Sequence, residues 1–179
     1  MTGRIGVHGS NFRDYNTNKG WKTGRNKHFA YFPSLNTMSS NSLDRFITAQ
    51  ETAYDTALAE IKNGRKRSHW IWYIFPQLKG LGFSHHSEYY GLSGIDEAKA
   101  YLEHPVLGKR LIEISKDLLD LPSSDPAQVM GYPDDLKLNS CMTLFANVPG
   151  ADPVFNAVID KFFNGKPDHN TLALLSQKP

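Results

Sequence analysis

Three times in this chain a side chain able to cap a helix is followed directly by proline, at His104-Pro105, Asp125-Pro126 and Asp152-Pro153, and a fourth proline follows Tyr132. Within a helix, the fixed φ and missing N–H of proline are tolerated only in the first turn, so each pair predicts a helix start. Two of the segments opened in this way keep a clear helical period. After Pro105 the stripe is Val106, Leu107, Leu111, Ile114, Leu118 and Leu119; after Pro153 it is Phe155, Val158, Ile159, Phe162 and Phe163, with Gly165 as a stop. Ser42 caps another, in which Phe46, Ala49, Ala53, Tyr54, Ala57, Leu58 and Ile61 recur at three- and four-residue spacing up to Gly64. Leu136, Leu138, Met142, Leu144 and Phe145 predict a less regular helix after Pro133, and Asp96 to Leu102 and Thr171 to Leu175 predict shorter ones. Alternating strand runs joined by Asn-Gly or Asp-Gly turns are missing. The expectation is an all-α fold, a compact single-domain multihelical bundle of six to eight helices without internal repeats.

The chain is large and apolar enough for such a core. Its 179 residues are 40% hydrophobic, and a domain of this size removes roughly two-thirds of its unfolded surface from water without covalent staples. The single cysteine, Cys141, excludes an intramolecular disulfide and any thiolate zinc cluster within one chain, and fits a reducing, cytoplasmic location. The longest apolar run, Trp70 to Phe75, is far short of the roughly 20 residues that span a bilayer. No secretory signal is evident. Neither a membrane nor a cofactor is expected.

Charge is unevenly spread. Residues 1–42 carry Arg4, Arg13, Lys19, Lys22, Arg25 and Lys27 against Asp14 alone, whereas the remainder has more acids than bases. A Gly/Asn/Ser-rich basic leader cannot bury enough surface to offset its ordering entropy and reads as a disordered tail. The alternatives are an organellar presequence and an electrostatic arm for anions. The aromatic knot Phe29-Ala30-Tyr31-Phe32-Pro33 suits docking on the body. The helical domain is expected over 43–175, with a short tail at 176–179.

One segment departs from simple helix patterning. From Arg65 to Gln77 three cations, a histidine and four aromatics crowd a short apolar run. In a structural account, Ser68 caps a two-turn helix ended by Pro76, and its rings fill the bundle. In the rival account Trp70 or Trp72 stacks on a planar ring while Lys66, Arg67 and His69 meet phosphate. The next stretch, Lys79 to Tyr90, reads as a loop. Gly80 and Gly82 let backbone amides approach an anion beside Lys79, and Ser84 and Tyr90 flank the titratable His85, His86 and Glu88. Glu88 and His86 are the candidate catalytic pair; Lys66, Arg67, His69, Trp70, Lys79, Gly80, Gly82, Ser84 and Tyr90 are the candidate ligand contacts. No metal site is expected, because adjacent histidines point different ways. Cys141 reads as a small core residue, Asp134 and Asp135 as first-turn carboxylates favoured by the helix dipole, and Asp168-His169 as a cap.

The runs His69 to Leu78, Gly80-Leu81-Gly82, Tyr101 to Gly108 and Leu136 to Phe145 resemble, in order and spacing, the domain of unknown function family 1810. Its bacterial members are often labelled calpastatin. That inhibitor is a long disordered chain, the opposite of this aromatic-rich domain. The resemblance runs from about Leu43 to Leu175 and implies a compact multihelical fold without implying an activity. Ser87-Glu88-Tyr89-Tyr90 is similar to the Ser-Glu-His-Tyr core of the NADAR family, helical proteins associated with ADP-ribose and NAD-derived substrates; Tyr89 stands here where that family has histidine. This second similarity implies an anionic nucleotide-like ligand whose N-glycosidic bond Glu88 would help to cleave. The same residues suit a non-catalytic pocket. A protein-interaction module is the competing class and predicts an exposed apolar patch. Nucleic-acid binding would rest on the leader alone, since the body is acidic.

Overall fold

The computed structural model describes residues 37–177, with side chains from Ser42 onward. The readings of residues 1–36 of the leader, with its aromatic knot, and of the last two residues lie outside the described residues. These residues form nine helices: α1 (Thr37–Lys62), α2 (Ile71–Ile74), α3 (His85–Tyr90), α4 (Ile95–Glu103), α5 (Leu107–Asp120), α6 (Pro126–Met130), α7 (Asp134–Ala146), α8 (Val154–Phe163) and α9 (His169–Ser176). Among them there is no sheet, only an isolated parallel bridge between Leu78 and Leu92. None of these helices is long and apolar enough to cross a membrane.

The capping side chains act as their types dictate. Asp125 Oδ1 accepts from the amides of Ala127 (2.9 Å) and Gln128 (3.2 Å), Asp152 Oδ1 from Val154 N at 2.9 Å, and Asp168 Oδ2 from Thr171 N at 2.8 Å. His104 does the same for α5 through Nδ1, which accepts from Val106 N and Leu107 N. The opposite end of α5 is capped from outside: the Lys161 ammonium on α8 donates to the carbonyls of Leu118, Leu119 and Leu121.

Helix α7 is the hub. Residues Leu138 and Ser140 to Phe145 are all buried, so it is enclosed on nearly every side, by α8, α6, α9, α4 and α2. That enclosure explains why its apolar spacing is irregular. Helices α1, α5 and α8 complete the core, which includes Phe46, Trp70, Tyr101, Phe145 and Phe155. Among its buried polar groups, Gln50 Nε2 donates to Tyr73 O at 2.7 Å and to the Tyr101 hydroxyl oxygen at 2.9 Å. Cys141 is fully buried, and burial pushes its thiol well above the ordinary range, as suits a core residue.

Four expectations change. Helix α1 begins at Thr37, five residues before the Ser42 cap read from sequence. The helix expected after Ser68 is a single turn, Ile71–Ile74, entered through Trp70, because Ser68 is bonded elsewhere. Residues 85–90, read as loop, form α3, with Ser84 Oγ accepting from Ser87 N at 3.1 Å. The count is nine rather than six to eight, since α3, read as loop, is too short to show a period.

Candidate functional site

The cation-aromatic segment after α1 is organised by a residue that local patterning does not mark. Glu60 accepts from Arg67 N (2.7 Å), Ser68 N (3.0 Å) and Trp70 Nε1 (2.8 Å), and also from the Ser68 hydroxyl. Burial pushes its carboxyl upward, but the bonds from Ser68, Arg67 and Trp70 outweigh that and hold its pKa down at about 2 against an ordinary 4.5. A group depressed in this way contributes stability in full above its unfolded pKa, and that contribution is lost as pH falls through the folded value. Glu60→Gln is therefore expected to destabilise the fold by about 1–2 kcal/mol at neutral pH, allowing for its partial exposure. Urea unfolding of both proteins should show the difference shrinking as pH falls from about 4.5 towards 2; equal stability at pH 7 would refute the assignment.

Trp70 is 1% exposed. The Lys66 side chain is 7% exposed, with Nζ 5.0 Å from the Trp70 ring centre, 2.6 Å from Asp134 Oδ2 and 2.6 Å from Ser68 O. Trp70 is thus committed inside the fold, which corrects its reading as a ligand-stacking ring, while Lys66 is bound to Asp134 and Ser68 at the wall of a separate open hollow that it lines with Arg65 and Gln128. Asp134 also binds Lys137 Nζ at 2.7 Å, and that ammonium lies 4.7 Å from the Trp72 ring centre. Beyond Trp72 comes His86 (4.8 Å between rings), then Tyr90 (6.3 Å), which meets Tyr73 and Phe46. Cations, one carboxylate and rings alternate along this row. Arg67 and His69 are exposed beside it.

The remaining candidates divide around α3. Gly82, His86 and Tyr90 line a cleft of about 10 Å³ with Trp72, Gln77 and Ser87, enough for one water and no larger ligand. Glu88 faces elsewhere, because residues two apart on a helix lie on different sides. The structure therefore does not bring His86 and Glu88 together. Glu88 and Tyr89 instead line an open hollow of about 540 Å³ between α1, α3 and α4, with Arg45, Lys79, Gly91, Ser93, Asp96 and Glu97 among its walls. Lys79 Nζ lies 3.5 Å from Glu88 Oε2, both side chains about half exposed. Gly80 is outside the hollow at φ +98°, and Ser84 serves as the α3 cap.

Arg45 was not singled out from sequence. Its Nη2 donates to Glu97 Oε1 at 2.9 Å and to Gly91 O at 3.3 Å, its guanidinium lies 4.4 Å from the Phe46 ring centre, and its Nε has no partner. Burial pushes the Glu97 carboxyl up, but bonds from Ser93 and Arg45 bring it below the usual range, so the pair stays ionised. The one sequence signal for it was an arginine one residue before the core Phe46, a place where a long cation can lie along an apolar surface. No group of three or more His, Cys, Asp or Glu side chains among the described residues could hold a metal ion.

No curated protein matches this chain. A solved structure does: the crystal structure of the conserved hypothetical protein Rv1873 from Mycobacterium tuberculosis, 43% identical, covering 76% of this chain and 98% of that one with a TM-score of 0.75. The sequence profile described as "Protein of unknown function (DUF1810)" matches residues 40–175, which takes in every residue that lines the hollow. The chain belongs to that family of proteins of unknown function.

Proposed function

We propose that the hollow between α1, α3 and α4 binds a small anionic, nucleotide-like ligand of the ADP-ribose or NAD-derived class, in the cytoplasm and without a cofactor. The observation that carries this reading is the Lys79–Glu88 pair beside the half-exposed Tyr89 on the wall of a hollow of about 540 Å³, a volume within the ordinary range for small-molecule sites. Tyr89 offers a ring face for a base, and Lys79 a charge for a phosphate. A phosphate that takes Lys79 frees Glu88 as a general base. Glu88 then accepts a proton from water as the water oxygen bonds to the anomeric carbon; the C–N bond breaks with its electron pair going to nitrogen, which leaves neutral if it was a pyridinium and otherwise takes the proton that Glu88 had accepted.

Thermal shift against nucleotides, NAD, ADP-ribose and sugar phosphates tests this. A ligand present at about 100 times its dissociation constant should stabilise the protein by about 2.7 kcal/mol. Lys79→Ala should abolish the shift, whereas Glu88→Gln should retain binding and lose turnover. No shift with any compound would overturn the reading. It would favour a protein-interaction module, which the nearly full exposure of Phe83 (96%) and Tyr132 (82%) supports.

A further inference from the structure

The hollow that holds Glu88 has a neighbour of nearly equal size. A second open hollow of about 520 Å³ is lined by Ser42, Asp44, Arg45, Thr48, Ala49, Tyr89 and Tyr90. Ser42, Arg45 and Tyr89 line both. The partition between the two is thus a half-exposed ring and an arginine fork. Tyr89 is held by rings alone in the described contacts, stacked on His85 at 6.0 Å and edge-on to Tyr90 at 4.9 Å, so turning it needs no hydrogen bond to break. The fork, by contrast, is anchored, through Nη2 on Glu97 and the Gly91 carbonyl, and with Nε buried the donors left for a ligand are those of the terminal nitrogens that these bonds do not use. The guanidinium is thus held, paired with Glu97, at the place where the two hollows meet.

We propose that the two hollows are the arms of one bipartite site, built for a ligand with two bulky ends joined by an anionic bridge of the pyrophosphate class, the bridge lying against Arg45 and the ends on either side of Tyr89. This rests on the reading given under Proposed function and extends it by specifying the ligand's shape. Carboxylates stand on each side of the partition, Asp96 and Glu88 in one hollow and Asp44 in the other. With Glu97, which also lines the first hollow, they favour hydroxylated or nitrogen-bearing ends, and leave Lys79, among the residues lining that hollow, as the one further cation for the near phosphate of the bridge. A planar guanidinium suits a bridging diphosphate better than an ammonium would, because its donors match two oxygens at once.

The test is calorimetric titration of the full chain with ADP-ribose, which has both ends and the bridge, and with AMP and ribose 5-phosphate, each of which has one end. Linking the halves should make ADP-ribose bind about 100-fold more tightly than either half. Arg45→Lys, which keeps the charge and the partner Glu97 but loses the fork, and Tyr89→Ala, at a half-exposed position, should each cut that advantage about 10-fold with little change in AMP affinity. AMP binding as tightly as ADP-ribose would overturn the bipartite site while leaving the small-ligand reading intact. An ADP-ribose advantage untouched by both variants would overturn it as well. No binding of any of the three, with the protein folded by circular dichroism, would overturn both readings.

Discussion

Gly108→Ala is expected to lower the stability of the domain by about 3 kcal/mol or more, and its melting temperature by about 10 °C. Helix propensity predicts the opposite sign, since alanine in a helix is favoured over glycine by about 1 kcal/mol. Packing decides. A Cβ at residue 108 would sit 1.9 Å from the Leu102 carbonyl oxygen and 2.7 Å from its carbon, and backbone in the last turn of α4 cannot move aside as a side-chain tip can. Glycine here is what lets α5 begin directly against α4, while the amide of Gly108 donates to His104 O at 3.1 Å. Gly150→Ala is the control: its φ is +78° but nothing lies within 4 Å of the added carbon, so only the left-handed penalty of about 1–2 kcal/mol applies. Equal melting temperatures for the two variants would show that α4 and α5 can separate at little cost.

Asp134→Ala should be nearly as damaging, by about 3 kcal/mol, because it strands the buried Lys66 ammonium without its carboxylate. The double variant Lys66→Met/Asp134→Ala removes both charges and is expected to recover most of the loss, since a buried ion pair can be replaced by apolar groups at little net cost. A double-mutant cycle by chemical denaturation measures this directly; a double variant no more stable than Asp134→Ala would mean that Lys66 costs nothing when left alone. The pair also has a pH signature. Burial pushes the Asp134 carboxyl up, but the bonds from Lys137 and Lys66 win and hold it below its ordinary 3.8. Its contribution is therefore complete above that value and is lost as pH falls through the lower folded pKa, in the same direction as that of Glu60.

What was legible in the sequence was whatever repeats along one helix. Three- and four-residue spacing marked α1, α5 and α8, the last two with a capping side chain followed by proline, because those signals need no knowledge of what lies opposite. Glu60 was not legible as a hub, since its donors come from Arg67, Ser68 and Trp70 after the chain has turned back. One clue was present: a carboxylate in the last turn of a helix opposes the dipole, so it calls for compensating donors. Asp134 was explained by the opposite rule, as an acid in a first turn, and that local account concealed its two lysines. The crowded rings from Trp70 to Phe75 were compatible with core and pocket alike. Trp70 went to the core, because its indole N–H found a carboxylate and the ring could then be buried without an unmatched donor. The two hollows drew on residues 42–49, 79, 88–91 and 93–100, brought together by tertiary packing that no local pattern encodes.

The small bridge between Leu78 and Leu92 ties the two ends of the intervening segment together, through Lys79 N to Leu92 O and Leu92 N to Gln77 O, both at 2.9 Å. Within that clamp α3 contributes no fully buried residue. Residues 80–90 are therefore a cassette. Its solvent-facing positions can be exchanged or reshaped while the anchors keep the same separation, provided that Leu81 and Tyr90, which pack against the core, are kept. A family built on this plan could vary what it recognises by rewriting a stretch of about a dozen residues, leaving the helices that carry the folding energy as they are.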